Sequence, residues 1–95
     1  MTEADLRDEV KLLAFRQGWS VFELPRIKNR RPVKNAIGYP DMTLARDGQV
    51  MWFELKAEGG TMSDEQWHWF RVLSPFCHVI FPEQWESGRV AELLS

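Results

Sequence analysis

The sequence predicts a single α/β domain: a mixed central β-sheet flanked by helices. Three observations carry that reading. The chain has 95 residues, 44% of them hydrophobic and five of them tryptophan, which is apolar mass for a packed core rather than a disordered chain. Segments of helical period alternate with short runs of β-branched and aromatic residues. No repeat, low-complexity tract or linker interrupts it, so residues 1–95 read as one domain. A domain this small buries only about 60–65% of its unfolded surface, so self-association is expected.

Residues 3–17 read as the first helix. Thr2 caps it, Asp5 takes the capping-box position, and Leu6, Val10, Leu13 and Ala14 form the apolar stripe. Gly18 ends it, and residues 19–24, rich in aromatic and β-branched side chains, read as a strand. Between Pro25 and Pro40 no periodicity survives; a loop of that length in a compact domain is usually functional or mobile. Residues 42–45 and 49–56 read as two strands of a hairpin turned at Asp47-Gly48. Ser63 and Gln66 then form a second capping box, opening a helix to about Leu73. Residues 77–81 read as a further strand, and Pro82 leads into a C-terminal helical segment ending at Leu94. The order is α-β-β-β-α-β-α.

Composition removes several classes. Twelve Lys+Arg against fourteen Asp+Glu give a net charge of −2, which excludes a uniformly basic nucleic-acid coat. No apolar run approaches the ~20 residues that span a bilayer, and the acidic N-terminus lacks the features of a signal peptide. The lone Cys77 makes no internal disulfide, and with His68 and His78 it is too little for a structural zinc cage. These features fit a soluble protein of a reducing compartment. Cys77, in an apolar strand, reads as a small buried hydrophobe. Trp67, Trp69 and Phe70, at helical spacing, read as core or subunit-interface residues.

The informative stretch is Gly38-Tyr39-Pro40-Asp41, twelve further residues, and Glu54-Leu55-Lys56. Residues two apart on a strand share a face, so Glu54 and Lys56 lie side by side while Leu55 faces away. The hairpin folds the Asp41 carboxylate back toward Glu54. Two carboxylates converging beside a lysine suit a hard divalent cation and an activated water. Taken singly, Glu-x-Lys on a strand is an ordinary ion pair and Asp after Pro an ordinary turn residue. Their joint placement on one hairpin favours a metal site.

Gly38-Tyr39-Pro40-Asp41, Glu54-Leu55-Lys56, and Gly60-Thr61-Met62-Ser63-Asp64-Glu65-Gln66 followed by Trp69 and Leu73 together resemble the VRR-NUC family, the virus-type replication-repair nucleases. That family belongs to the PD-(D/E)xK nuclease superfamily, and the resemblance runs from the first helix through residues 77–81. It implies a restriction-endonuclease-like core with Mg²⁺ or Mn²⁺ at one edge of the sheet. Asp41 and Glu54 would be metal ligands, joined by the Leu55 backbone carbonyl, with Lys56 the catalytic lysine. The family also places a first-helix glutamate near the metal. Glu9, at the margin of the apolar stripe, is the candidate, and a plain solvated helix charge is the alternative. Gln66 would lie at the active site as well, although its capping box explains it without catalysis.

The resemblance therefore implies a metal-dependent, structure-specific DNA endonuclease, resolving Holliday junctions as a homodimer with two sites cutting symmetric strands. A nickase or flap-type nuclease is the alternative within that chemistry, and a non-catalytic nucleic-acid-binding accessory the alternative outside it. The implied setting is DNA repair or replication in the bacterial cytoplasm, with a phage or prophage origin compatible with it. No small-molecule cofactor and no membrane partner are expected. Arg26, Lys28, Arg30, Arg31 and Lys34 then gain a purpose as phosphate contacts. Those five cations, with no acid among them, leave −7 on the rest of a chain whose total is −2. The balance is locally compatible with DNA.

Overall fold

The computed structural model describes residues 1–23 and 37–95. Helix α1 spans Glu3–Arg16 and is followed by strands β1 (Ser20–Glu23), β2 (Met42–Arg46) and β3 (Gln49–Leu55). Helix α2 (Asp64–Leu73) connects to β4 (Cys77–Ile80), and two short helices, α3 (Pro82–Glu86) and α4 (Arg89–Leu94), close the chain. The fold is α/β, with a four-stranded mixed sheet in the order β1-β2-β3-β4. The first two pairings are antiparallel and β3 pairs β4 in parallel, so α2 is the crossover that parallel pairing requires.

The caps form as their residue types dictate. Thr2 Oγ1 accepts from the Asp5 N–H, and Asp5 Oδ2 accepts from the Thr2 N–H, each at 3.0 Å. At the β2–β3 turn Asp47 and Gly48 both take positive φ, +49° and +79°, the pairing a two-residue type I′ turn needs. The C-terminal helical segment is two helices rather than one. Gly88, at φ +86°, lies between them and redirects the chain.

Alternation along the strands sorts the two faces of the sheet. Met42, Leu44, Phe53, Leu55 and Ile80 point to the face covered by α1, α3 and α4, where they meet Leu6, Val10, Val90 and Leu94, all fully or almost fully buried. The opposite face carries Thr43, Trp52 and Glu54, with α2 lying against β4. At the hairpin end, Arg46 ties the end of α1 to the C-terminus. Its guanidinium donates to the Gln17 and Leu94 carbonyls at 2.9 and 3.2 Å and stacks 4.3 Å from the Trp19 ring. Trp19 donates its own Nε1–H to the Leu94 carbonyl at 2.9 Å. The opposite end of the sheet, where β2 begins and β3 ends, collects the polar side chains.

Candidate active site

Register brings the two carboxylates together. Met42 pairs with Phe53, so one step beyond the ladder Asp41 stands across from Glu54. Asp41 Oδ2 accepts a 2.7 Å hydrogen bond from the Leu55 N–H. In a strand the N–H and C=O of one residue leave on the same side, so the Leu55 carbonyl is directed toward Asp41 as well. Glu54 is 4% exposed, on the face turned away from the apolar core. Burial first, and the Asp41 charge second, push its carboxyl up to about 7, against the opposing pull of Lys56.

Gln66 organises the remaining charges. Its Nε2 donates to Glu54 Oε1 at 3.0 Å, while its Oε1 accepts from Lys56 Nζ and from the Ser63 N–H, both at 2.8 Å. Ser63 Oγ closes the capping box by accepting from the Gln66 N–H at 3.1 Å. One side chain thus caps α2 and contacts both Glu54 and Lys56. Lys56 Nζ also lies 3.6 Å from Glu54 Oε1. Glu54 Oε2 is buried and has no donor among the described residues.

The approach to Asp41 is held by close packing. A Cβ on Gly38, which has φ +80°, would sit 2.5 Å from the Glu65 carbonyl carbon and 2.7 Å from the Gln66 nitrogen. Only glycine lets residues 37–41 run this close to the first turn of α2. Tyr39 packs edge-on against Trp69, centroids 5.0 Å apart, and its hydroxyl accepts from Trp52 Nε1 at 2.7 Å. Trp69 Nε1 donates to the Ile37 carbonyl at 3.1 Å. Trp69 therefore fixes α2 to the segment that carries Asp41.

Asp41, Glu54 and Lys56 come together as the spacing predicts; Gln66 and the Leu55 backbone lie beside them, while the Leu55 side chain faces the core. Glu9 does not join them. It is exposed and lines a cavity of about 310 Å³ with Leu13, Arg16, Trp85 and Ala91, between α1 and the C-terminal helices. The side of α1 that reaches Asp41 carries Glu3 and Arg7, which the helical-stripe reasoning missed. Arg7 Nη2 lies 3.6 Å from Asp41 Oδ1 and 3.8 Å from Glu3 Oε2. A recurring charge at 3, 7 and 11 was the available signal, since Lys11 on the same flank pairs with Glu23 at 3.4 Å. Arg26, Lys28, Arg30, Arg31 and Lys34 lie outside the described residues.

Of the two expectations for Trp67, core or subunit interface, its 41% exposure excludes the core, and it meets Phe70 edge-on. Cys77 is buried as expected, and burial, followed by the nearby Glu54 charge, pushes its thiol up to about 11. A cavity of about 520 Å³ lined by Trp19, Val50, Trp52 and Phe76 includes none of Asp41, Glu54, Lys56 or Gln66, and it is not the centre of this chemistry. No helix among the described residues is long and apolar enough to cross a membrane.

The donor set suits a hard cation. Two carboxylates and a carbonyl offer only oxygen, and the Glu54 Oε2 lone pairs face no donor. No three His, Cys, Asp or Glu side chains converge among the described residues, so an ion held here would keep several waters in its shell. Comparison with protein-family models, with curated proteins and with solved structures gave no match.

Proposed function

We propose that this chain is a Mg²⁺- or Mn²⁺-dependent, structure-specific DNA endonuclease of restriction-endonuclease-like architecture, related to the VRR-NUC nucleases and resolving Holliday junctions as a homodimer. The observation that carries the reading is the Asp41–Glu54–Lys56–Gln66 network at one end of the sheet. Asp41 beside a buried Glu54 raises the cost of ionising both carboxylates, which a proton or a bound cation would offset.

Asp41, Glu54 and the Leu55 carbonyl would hold the cation, which when bound supplies Lewis acidity and a water of lowered pKa. The protein's part is positioning. The Leu55 N–H fixes the Asp41 carboxylate, and Gln66 fixes both the Glu54 carboxylate and the Lys56 ammonium. An ammonium has three donors; two face Gln66 and Glu54, leaving one for an attacking water or a phosphate oxygen. Arg26, Lys28, Arg30, Arg31 and Lys34 would supply salt-dependent affinity along the backbone. Two copies related by a two-fold axis would present two such sites to the symmetric strands of a junction.

The test is a cleavage assay with Mg²⁺ on four-way junctions, flaps, nicked duplexes and linear duplexes. Symmetric junction cleavage is expected, falling by about 100-fold or more in Asp41→Ala, because such a contact contributes several kcal/mol to the transition state. Equal cleavage by Asp41→Ala overturns the nuclease reading. A strong preference for flaps replaces the resolvase part with a flap or nicking activity. DNA binding without cleavage or calorimetric metal uptake assigns the chain to non-catalytic nucleic-acid accessories.

A further inference from the structure

Arg7 is the charged group of the site that no motif residue explains. Its Nη2 faces Asp41 Oδ1 at 3.6 Å and Glu3 Oε2 at 3.8 Å, distances of ion pairing rather than of a hydrogen bond. Its Nε and Nη2 are buried, and neither has a hydrogen-bond partner among the described residues. Those two nitrogens form the side-on fork of the guanidinium, the edge that matches two oxygens of a carboxylate or phosphate. A buried fork with no bonded partner is costly unless the group has another use.

We propose that Arg7 is a phosphate-contacting residue of this site, its fork turning from Asp41 to the non-bridging oxygens of the scissile phosphate when DNA and a divalent cation bind. The assignment rests on the nuclease reading above. Charge balance supports it. Asp41, Glu54 and Glu3 oppose Arg7 and Lys56, leaving one net negative charge when all are ionised. A divalent cation reverses that to one positive, which a single phosphodiester anion neutralises. The same cation draws on the Asp41 carboxylate that Arg7 faces, so metal and guanidinium compete until the phosphate offers Arg7 a second partner. The side chain as a whole keeps 21% exposure while its Nε and Nη2 are buried, so the fork must swing out from Asp41 to meet a phosphate.

The experiment uses the full chain as wild type, Arg7→Ala and Arg7→Lys. Mn²⁺ affinity without DNA is read by calorimetry, and single-turnover junction cleavage at saturating DNA gives the chemical rate. Arg7→Ala should bind Mn²⁺ as tightly as wild type or up to about tenfold more tightly, since its competitor is gone. Its cleavage rate should fall about 100-fold. Arg7→Lys keeps the charge and loses the fork, and should fall about tenfold. A wild-type rate in Arg7→Lys overturns the assignment, as does loss of Mn²⁺ binding in a folded Arg7→Ala, which marks Arg7 as a support for Asp41. If the wild type itself neither takes up Mn²⁺ nor cleaves, the nuclease reading has failed and this assignment falls with it. If the wild type does both and the variants match it, only the Arg7 assignment fails.

Discussion

Helices α1 and α2 both reach the polar end of the sheet, and they are held there by different forces. Helix α1 buries Leu6, Val10 and Ala14 completely against the core. Its charged flank, Glu3 and Arg7, is carried to Asp41 as a by-product of that packing. Helix α2 buries no residue fully. It is fixed by directional contacts: hydrogen bonds of Gln66 with Glu54, Lys56 and Ser63 in its first turn, and of Trp69 with Ile37, plus an edge-on ring contact to Tyr39, further along. Apolar burial supplies most of the free energy, at roughly 1.5–3 kcal/mol per large side chain, and hydrogen bonds supply orientation at about 1 kcal/mol each. One helix therefore supports the fold and the other sets the geometry of the site.

That contrast can be broken most forcefully in α1. Leu6→Ala should cost about 2–5 kcal/mol in urea unfolding, because the surrounding core cannot collapse into the space it leaves. A cost under about 1 kcal/mol would mean that α1 is no better anchored than α2.

Glu54 sharpens the comparison through pH. Its folded carboxyl is pushed up to about 7 from an ordinary 4.5, so between those values the folded chain holds a proton that the unfolded chain has released. The sign follows: this group's stabilisation is fully present below 4.5 and is lost as pH rises through about 7. In chelator-containing buffer the wild type should lose on the order of 1–3 kcal/mol between pH 5 and 8, and Glu54→Gln should show a flatter profile. Parallel profiles for the two proteins would remove Glu54 as the source of the slope.

The smallest effect on stability belongs to Gln66→Glu. Glutamate is a normal capping-box partner, so the Ser63 N–H keeps its acceptor and α2 keeps its start. What disappears is the amide donor to Glu54, replaced by a third carboxylate beside it. A loss of about 1 kcal/mol is expected in denaturant melts above pH 7, with little change at pH 5. A pH-independent loss as large as that of Leu6→Ala would make α2 an element of the core.

Much of this was legible because it is local. The capping boxes at Thr2 and Ser63, the Asp47-Gly48 turn and the alternation along β3 depend on residues within a few positions of each other. The meeting of Asp41 with Glu54 was legible too, since a tight hairpin converts spacing into register. The contribution of α1 was not. A helical wheel gives the angle of Glu9 to the apolar stripe, but which flank of the helix overhangs the end of β2 depends on how the whole helix lies on the sheet. Arg7 and Glu9 are about 200° apart on that wheel, so choosing one flank forfeits the other. The division of the C-terminal segment had its signal in Ser87-Gly88, a helix-ending pair that a run of good helix formers on either side obscured. Exposure of Trp67 had none, because an amphipathic stripe shows that a face is apolar and not what lies against it.

The bond from the Leu55 N–H to Asp41 Oδ2 has a spectroscopic consequence. An amide proton in a sheet is normally shielded by a carbonyl of the next strand, but this one is shielded by the side chain on which the proposed chemistry turns. Its solvent-exchange rate and chemical shift thus respond to the state of Asp41 as well as to the sheet, while neighbours such as the Lys56 N–H, bonded to the Ile80 carbonyl at 2.9 Å, follow the sheet. One backbone resonance reports when a cation or a guanidinium changes its hold on that carboxylate, with no substrate in the tube.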